Sequence, residues 1–200
     1  MGETGWFYRT FIDPLLKSGR KLIKNNINAG DMVLDVACGT GALVFDLAEK
    51  AKKVVGVDLS ESMLKAARLE QKKRGVNNVE FIVADATLLS VFADNEFDIV
   101  TLSMALHQFN PELHSPILAE MKRISKKIII VDYAVPLPKS TNGMAARIIE
   151  FLAGKEHNGN FKRFCKLGGL VPILEKNNLQ IKTNKKFGSG IFQIIITSAR

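Results

Sequence analysis

Three aspartates, each at or next to the end of a short apolar run, carry the pattern in this chain that could do chemistry. The first run, Val33-Leu34-Asp35-Val36, passes straight into Ala37-Cys38-Gly39-Thr40-Gly41. Glycine lets a backbone approach a ligand closely and adopt conformations closed to other residues. Asp58 lies 17 positions after Gly41 and closes Lys53-Val54-Val55-Gly56-Val57. A carboxylate there has two oxygens and can accept from both hydroxyls of a ribose. Asp85 follows the run Val79 to Ala84, where it can accept from an adenine amine while Ala86 offers its backbone amide to a ring nitrogen. Taken singly, each aspartate is equally a helix cap or turn residue. Together the three describe a nucleoside pocket.

The charge of the ligand follows from the same loop. A dinucleotide fingerprint, G-x-G-x-x-G, uses its third glycine for close helix–strand packing and rests a diphosphate on the helix N-terminus. Here Val44 stands three positions beyond Gly41, and Asp35 would aim a negative charge at a diphosphate. An acid in that place suits a cationic ligand.

Elements of alternating type must hold these residues. From Asp31 onward, short β-branched runs alternate with segments of helical period, the signature of a parallel sheet covered by helices. The runs predict strands over residues 32–36, 53–58, 79–84, 97–102 and 128–133, with closing strands over 179–187 and 191–198. Gly188-Ser189-Gly190 is short enough for a hairpin, which makes the last strand antiparallel to its neighbour. Ser60 is an expected N-cap, with Met63, Ala66, Ala67 and Leu69 marking the inner side of its helix and Gly75 its end. Pro111 fits the first turn of a helix reaching about Ser125, and further helices are expected over 143–153 and 161–176. Ligands of open parallel sheets bind at the carboxyl ends of the strands, where all three aspartates fall.

In this combination the sequence resembles the class I S-adenosylmethionine-dependent methyltransferases, and most closely the small-molecule branch with the ubiquinone and menaquinone C-methyltransferases. Asp35 to Gly41 matches the family's first motif, Asp58 its ribose-binding acid, Asp85-Ala86 its adenine pair, and Phe97 to Ser103 with Ala105-Leu106-His107 its fourth-strand motif. Ala37 departs from the pattern, which often has its first glycine there. The resemblance implies an α/β, Rossmann-like fold: a seven-stranded, mostly parallel sheet with a C-terminal antiparallel hairpin strand and helices on both faces. It implies S-adenosyl-L-methionine as cofactor, contacted by Asp35, Ala37, Cys38, Gly39, Gly41, Asp58, Leu59, Met63, Asp85, Ala86 and Ser103. The implied reaction is in-line transfer of a methyl group to a small molecule. An RNA methyltransferase and a non-catalytic cofactor-binding regulator are the alternatives.

A sulfonium is a good leaving group, so positioning and exclusion of water can carry much of such a reaction and a base is optional. If the acceptor must lose a proton, His107, after the fourth strand, and His157, in the segment after the fifth, are the candidate catalytic residues. Tyr8 and Tyr133 are weaker candidates, and His114 is expected at the surface or facing a helix. His107 and His114 are seven apart with no compact acid cluster beside them, so the sequence indicates no metal site. Cys38 and Cys165 are far apart and suggest neither a disulfide nor a zinc site.

Composition agrees with one globular domain, at 200 residues, 46% hydrophobic and 24% charged. Within it, residues 1–30 are expected as an N-terminal helical cap and 134–178 as an insertion covering the acceptor. The net charge of +8 gathers at the ends, with nine Lys or Arg against two Asp or Glu in residues 155–200. That basic character suits an anionic acceptor, nucleic acid or an anionic membrane surface, or forms solvated lysine faces. The expected partner is an anionic or hydrophobic small molecule rather than nucleic acid, with peripheral membrane contact open. No apolar run approaches the ~18 residues that span a bilayer, and the expected location is cytoplasmic.

Overall fold

The computed structural model describes residues 13–198, with side chains from Leu16 onward. The aromatic segment with Trp6, Phe7, Tyr8, Phe11 and Ile12 therefore lies outside the described residues, as does the side chain of Leu15.

Alternating β-branched runs become seven strands: β1 (Met32–Val36), β2 (Lys53–Asp58), β3 (Val79–Val83), β4 (Phe97–Ser103), β5 (Ser125–Tyr133), β6 (Gln180–Phe187) and β7 (Phe192–Ser198). They form one sheet in the order β3-β2-β1-β4-β5-β7-β6. The first five pair in parallel, and β7 runs antiparallel to both β5 and β6. Chain order reverses between β1 and β4, so the crevice of an open α/β sheet falls at the ends of these two strands.

The helices are α1 (Asp13–Lys24), α2 (Ala42–Ala48), α3 (Glu61–Arg74), α4 (Pro111–Ile124), α5 (Thr141–Leu152), α6 (Lys155–Lys166) and α7 (Leu170–Lys176). They build two cores, because consecutive strand residues point to opposite faces. Val33, Val54, Ile99, Ile129 and Val131 pack with Ile23, Val44, Leu47 and Leu64. Leu34, Val55, Val100, Ile128 and Ile130 pack on the other face with Leu118, Met121, Phe164 and Leu174. Burial on both faces explains why the strands read as nearly continuous apolar runs. Helix α1 is tied to α2 by Arg20–Asp46, at 2.7 Å, and by Lys24–Glu49.

Three local expectations are corrected. In α3, Leu64 and Ala67 are buried, whereas Met63, Ala66 and Leu69 face out. The helix lies over the edge strand β3 and meets it largely through polar groups: Arg68 donates to Phe81 O and Gln71 to Val79 O. Strand β5 begins three residues early, since Lys126 and Lys127 keep their ammonium groups at the rim, on Asp98 and Asn26 O. The helix expected over 161–176 is two. Gly168 and Gly169 take φ of 88° and 77° between α6 and α7, and a Cβ at Gly169 would come within 2.8 Å of Val135 Cγ2. His157 accordingly sits inside a helix, α6, rather than ahead of one. Among the described residues, no helix is long and apolar enough to cross a membrane.

Candidate functional site

The glycine loop is held open by hydrogen bonds from the neighbouring strand. Cys38 N–H donates to Val57 O at 3.0 Å, and Gly39 N–H donates to Asp58 Oδ2 at 2.8 Å. The second oxygen of Asp58 accepts from Ser60 N–H at 2.8 Å, and Ser60 in turn caps α3 through Met63 N–H. Ala84 N–H donates to Asp58 O, linking the end of β3 to the same point. Asp58 thus fixes the loop, the start of α3 and the path of the next strand, and each of its oxygens keeps a lone pair for a ligand.

Ala37, Gly39 and Gly41 all lie in the left-handed region, at φ of 55°, 55° and 81°. Space around Gly39 is open, with nothing within 4 Å of a built Cβ. At Gly41 the reverse holds, a Cβ falling 2.8 Å from Phe81 Cζ. Gly39 thus borders free volume while Gly41 permits packing. Ala37 occupies a conformation that favours glycine, the physical reason a glycine is common at this place in the pattern.

Asp35 is almost wholly buried and accepts from Thr101 Oγ1 at 2.7 Å on the adjacent strand. Burial lifts its carboxyl to about 7, Thr101 opposes the rise, and Asp58 adds to it. Asp35 therefore presents a field at the loop rather than an exposed carboxylate. Burial, helped by Asp35 and Asp58, pushes the Cys38 thiol far above its usual range and keeps it protonated. Cys165 is likewise raised, to about 11, by burial. Neither sulfur is poised as a nucleophile.

Leu59 and Met63 flank Asp58 with 71% and 47% of their surfaces exposed, apolar groups left uncovered beside the loop. Asp85 is exposed, and Oδ1 accepts from Thr87 N–H and Thr87 Oγ1, bonds that hold its carboxyl below the usual range. Ala86 packs at the margin of the core, and Ser103 ends β4 beside the switch point. Every residue expected at the cofactor site thus lies at or just beyond the carboxyl ends of β1 to β4.

The two candidate histidines are brought together, at the ends of β4 and β5. His107 and His157 have ring centroids 5.5 Å apart, with Glu150 of α5 in contact with both. His107 Nδ1 is 2.6 Å from Asp132 Oδ1, and Asp132 also accepts from the backbone N–H of His107 and Tyr133. Burial works to lower His107, but Asp132 and Glu150 together outweigh it and raise it. Tyr133 hydroxyl donates to Glu150 Oε1 at 2.8 Å. His114 is buried rather than at the surface: its Nε2 meets Leu106 O at 3.0 Å and burial lowers its basicity. Sequence reasoning missed Asp132, Glu150 and Thr101. Asp132 alone left a trace, as a lone acid in the apolar run Ile128-Ile129-Ile130-Val131.

Residues 33–127 match the family model of the methyltransferase domain. The chain has the fold of the class I S-adenosylmethionine-dependent methyltransferases. This methyltransferase fold is shared with the PH0226 protein of Pyrococcus horikoshii, with a TM-score of 0.73, 22% identity and coverage of 97% of this chain and 98% of that one. In sequence the chain resembles the demethylmenaquinone methyltransferase of Renibacterium salmoninarum, 38% identical over 58% of this chain and 48% of the relative. It also resembles the ubiquinone/menaquinone biosynthesis C-methyltransferase UbiE of Pseudomonas putida, 36% identical over 58% of this chain and 46% of the relative. The chain spans about half the length of these curated relatives.

Proposed function

We propose that this chain binds S-adenosylmethionine across the ends of β1, β2 and β3 and transfers its methyl group to a small-molecule acceptor lying over the ends of β4 and β5. The observation that carries the reading is the open space at Gly39, whose N–H donates to the Asp58 carboxylate, together with Leu59 and Met63 left uncovered just after Asp58 in the chain. These groups fit the proposed cofactor. Asp58 would accept from the ribose hydroxyls, Leu59 and Met63 would cover the adenine faces, and Asp85 with Ala86 would read the adenine edge. Asp35 would favour the cationic end through its field.

When bound, S-adenosylmethionine supplies a methyl group on a positively charged sulfur. The protein's part is to position the acceptor in line with that bond and to exclude water. Segment 134–178 would provide the acceptor cover, since α5 and α6 pack around His107 and Tyr133. Met144, Ile148 and Phe151 leave apolar surface exposed on α5, which favours a hydrophobic acceptor or contact with a lipid surface. The names of the relatives point the same way, towards quinone-type acceptors.

The test is incubation of purified protein with methyl-labelled S-adenosylmethionine and either a demethylated quinone or a metabolite extract. Label in a small organic product is the expected result. Label in RNA alone, or no transfer by protein that binds the cofactor, would overturn the acceptor class or the catalytic reading respectively.

A further inference from the structure

Three side chains from three different elements point their ligand atoms at one another beside the ends of β4 and β5. His107 follows β4, Glu150 is on α5 and His157 is on α6; one ligand atom of each lies within 4.8 Å of the others. Glu150 Oε2 contacts His157 Nε2, and Glu150 Oε1 lies 3.6 Å from His107 Nε2. The longer separation is too great for a hydrogen bond. It is close to the spacing of two ligands on one tetrahedral ion, since atoms ~2.1 Å from a metal lie about 3.4 Å apart.

The surroundings orient these groups as a metal site would require. Asp132 accepts backbone N–H groups from His107 and Tyr133; with Nδ1–H of His107 also donating to this carboxylate, the Nε2 atom is left free to face Glu150. Histidine ligands to metals almost always pass their other ring N–H to such an acceptor. Tyr133 hydroxyl fixes Glu150 through Oε1. Asp132 and Glu150 are both buried, and carboxyl groups so placed need a partner that compensates their lost contact with water, which a divalent cation would supply. The edges of Tyr133 and Phe161 stand 4.9 Å and 6.0 Å from the His107 ring, centroid to centroid, and keep that side dry.

We propose that His107, Glu150 and His157 form a binding site for a divalent transition-metal ion of the zinc type, with Asp132 and Tyr133 orienting the ligands. Two imidazoles and one carboxylate suit zinc or iron(II) better than magnesium or calcium. Three protein ligands leave a position open, as in catalytic rather than structural zinc sites. His157, 24% exposed, marks the side on which that position reaches solvent or an acceptor. The site stands on geometry alone and does not depend on methyl transfer; only its use for holding an acceptor oxygen or sulfur rests on the proposed function.

The test uses tag-free protein treated with chelator and titrated calorimetrically with zinc chloride, then with cobalt(II) chloride as an optical probe. One zinc per chain with a dissociation constant below about 1 µM is expected. His157→Ala and Glu150→Gln should each weaken it at least about hundredfold, and Asp132→Asn by about 10–100-fold. His157 is partly exposed, so H157A decides the matter if the buried substitution fails to fold. Thermal melting of each variant without metal verifies folding, and X-ray absorption should show two imidazole nitrogens on the ion. Folded wild-type protein that takes up no zinc at 100-fold excess overturns the proposal, as does zinc uptake unchanged by both ligand substitutions. S-adenosylmethionine binding, measured separately on the wild type and H157A, should be present in both; its absence in the wild type would sink the methyl-transfer reading and leave the metal site standing.

Discussion

Thr101 donates its hydroxyl proton to Asp35 Oδ1 at 2.7 Å, across the boundary where the order of the sheet reverses. This one bond offsets part of the desolvation that lifts the Asp35 carboxyl to about 7. Asp35 is therefore a buried acid whose charge depends on pH in the neutral range.

The folded protein holds a proton on Asp35 over the interval from about 4 to about 7, where the unfolded chain has released it. Stability from this group is full below pH 4 and is lost as pH rises through 7. Asp35→Asn should remove that slope, seen as a smaller fall in urea midpoint between pH 5 and 8 than in the wild type. Equal slopes in the two proteins would refute it. Because a cationic ligand favours the carboxylate, affinity for S-adenosylmethionine should rise by up to about tenfold per pH unit below 7 and level off above it. Thr101→Val should move that break upward.

Asp58 holds the loop and, under the proposed function, would hold the ribose as well. Asp58→Ala should weaken S-adenosylmethionine binding by at least about 10- to 100-fold by calorimetry, from charge-assisted bonds of roughly 1.5–3 kcal/mol each. Wild-type affinity in this variant would remove the ribose assignment.

Backbone conformation separates three positions in one loop. Ala37→Gly should leave stability unchanged or raise it by up to about 1 kcal/mol, since relief at a φ of 55° competes with glycine's greater unfolded freedom. Gly41→Ala should destabilise by about 2 kcal/mol or more, with a left-handed φ and a clash against Phe81. Gly39→Ala should cost about 1–2 kcal/mol in stability and additionally impair cofactor binding, because its methyl would project into the open volume. Chemical denaturation with a parallel binding titration distinguishes the three.

Ile129 sits in the middle of β5 with no exposed surface and packs against the α1 and α2 side of the sheet. Ile129→Ala should cost about 2–5 kcal/mol, read from the denaturant midpoint. A change below about 1 kcal/mol would mean that this core is loosely packed.

The strands and the glycine loop were legible because their signals are local: β-branched runs, an acid at or beside the end of each of the first three and two glycines within three residues. Asp58 is near in sequence to Ser60, whereas Gly39 and Ala84, which it also holds, are distant along the chain. His107, Asp132, Glu150 and His157 were not legible as a unit, since the turn after β4, β5, α5 and α6 contribute one member each and no period links them. His114, seven residues from His107 along the chain, is not its partner: the fold turns His107 towards α5 and α6 and buries His114 against Leu106 O. The inner face of α3 was misread because polar Arg68 and Gln71 take contacts that apolar residues were expected to make.

β7 follows β6 in the chain yet lies between β5 and β6 in the sheet. During synthesis, the Ile-rich run of β5 must wait with one edge unpaired until Phe192–Ser198 leaves the ribosome, because β6 has no other way to reach it. A chain stopped before residue 192 would expose that edge permanently, and exposed apolar edges recruit other strands. Nascent protein would thus carry an aggregation-prone edge on β5 until β7 arrives.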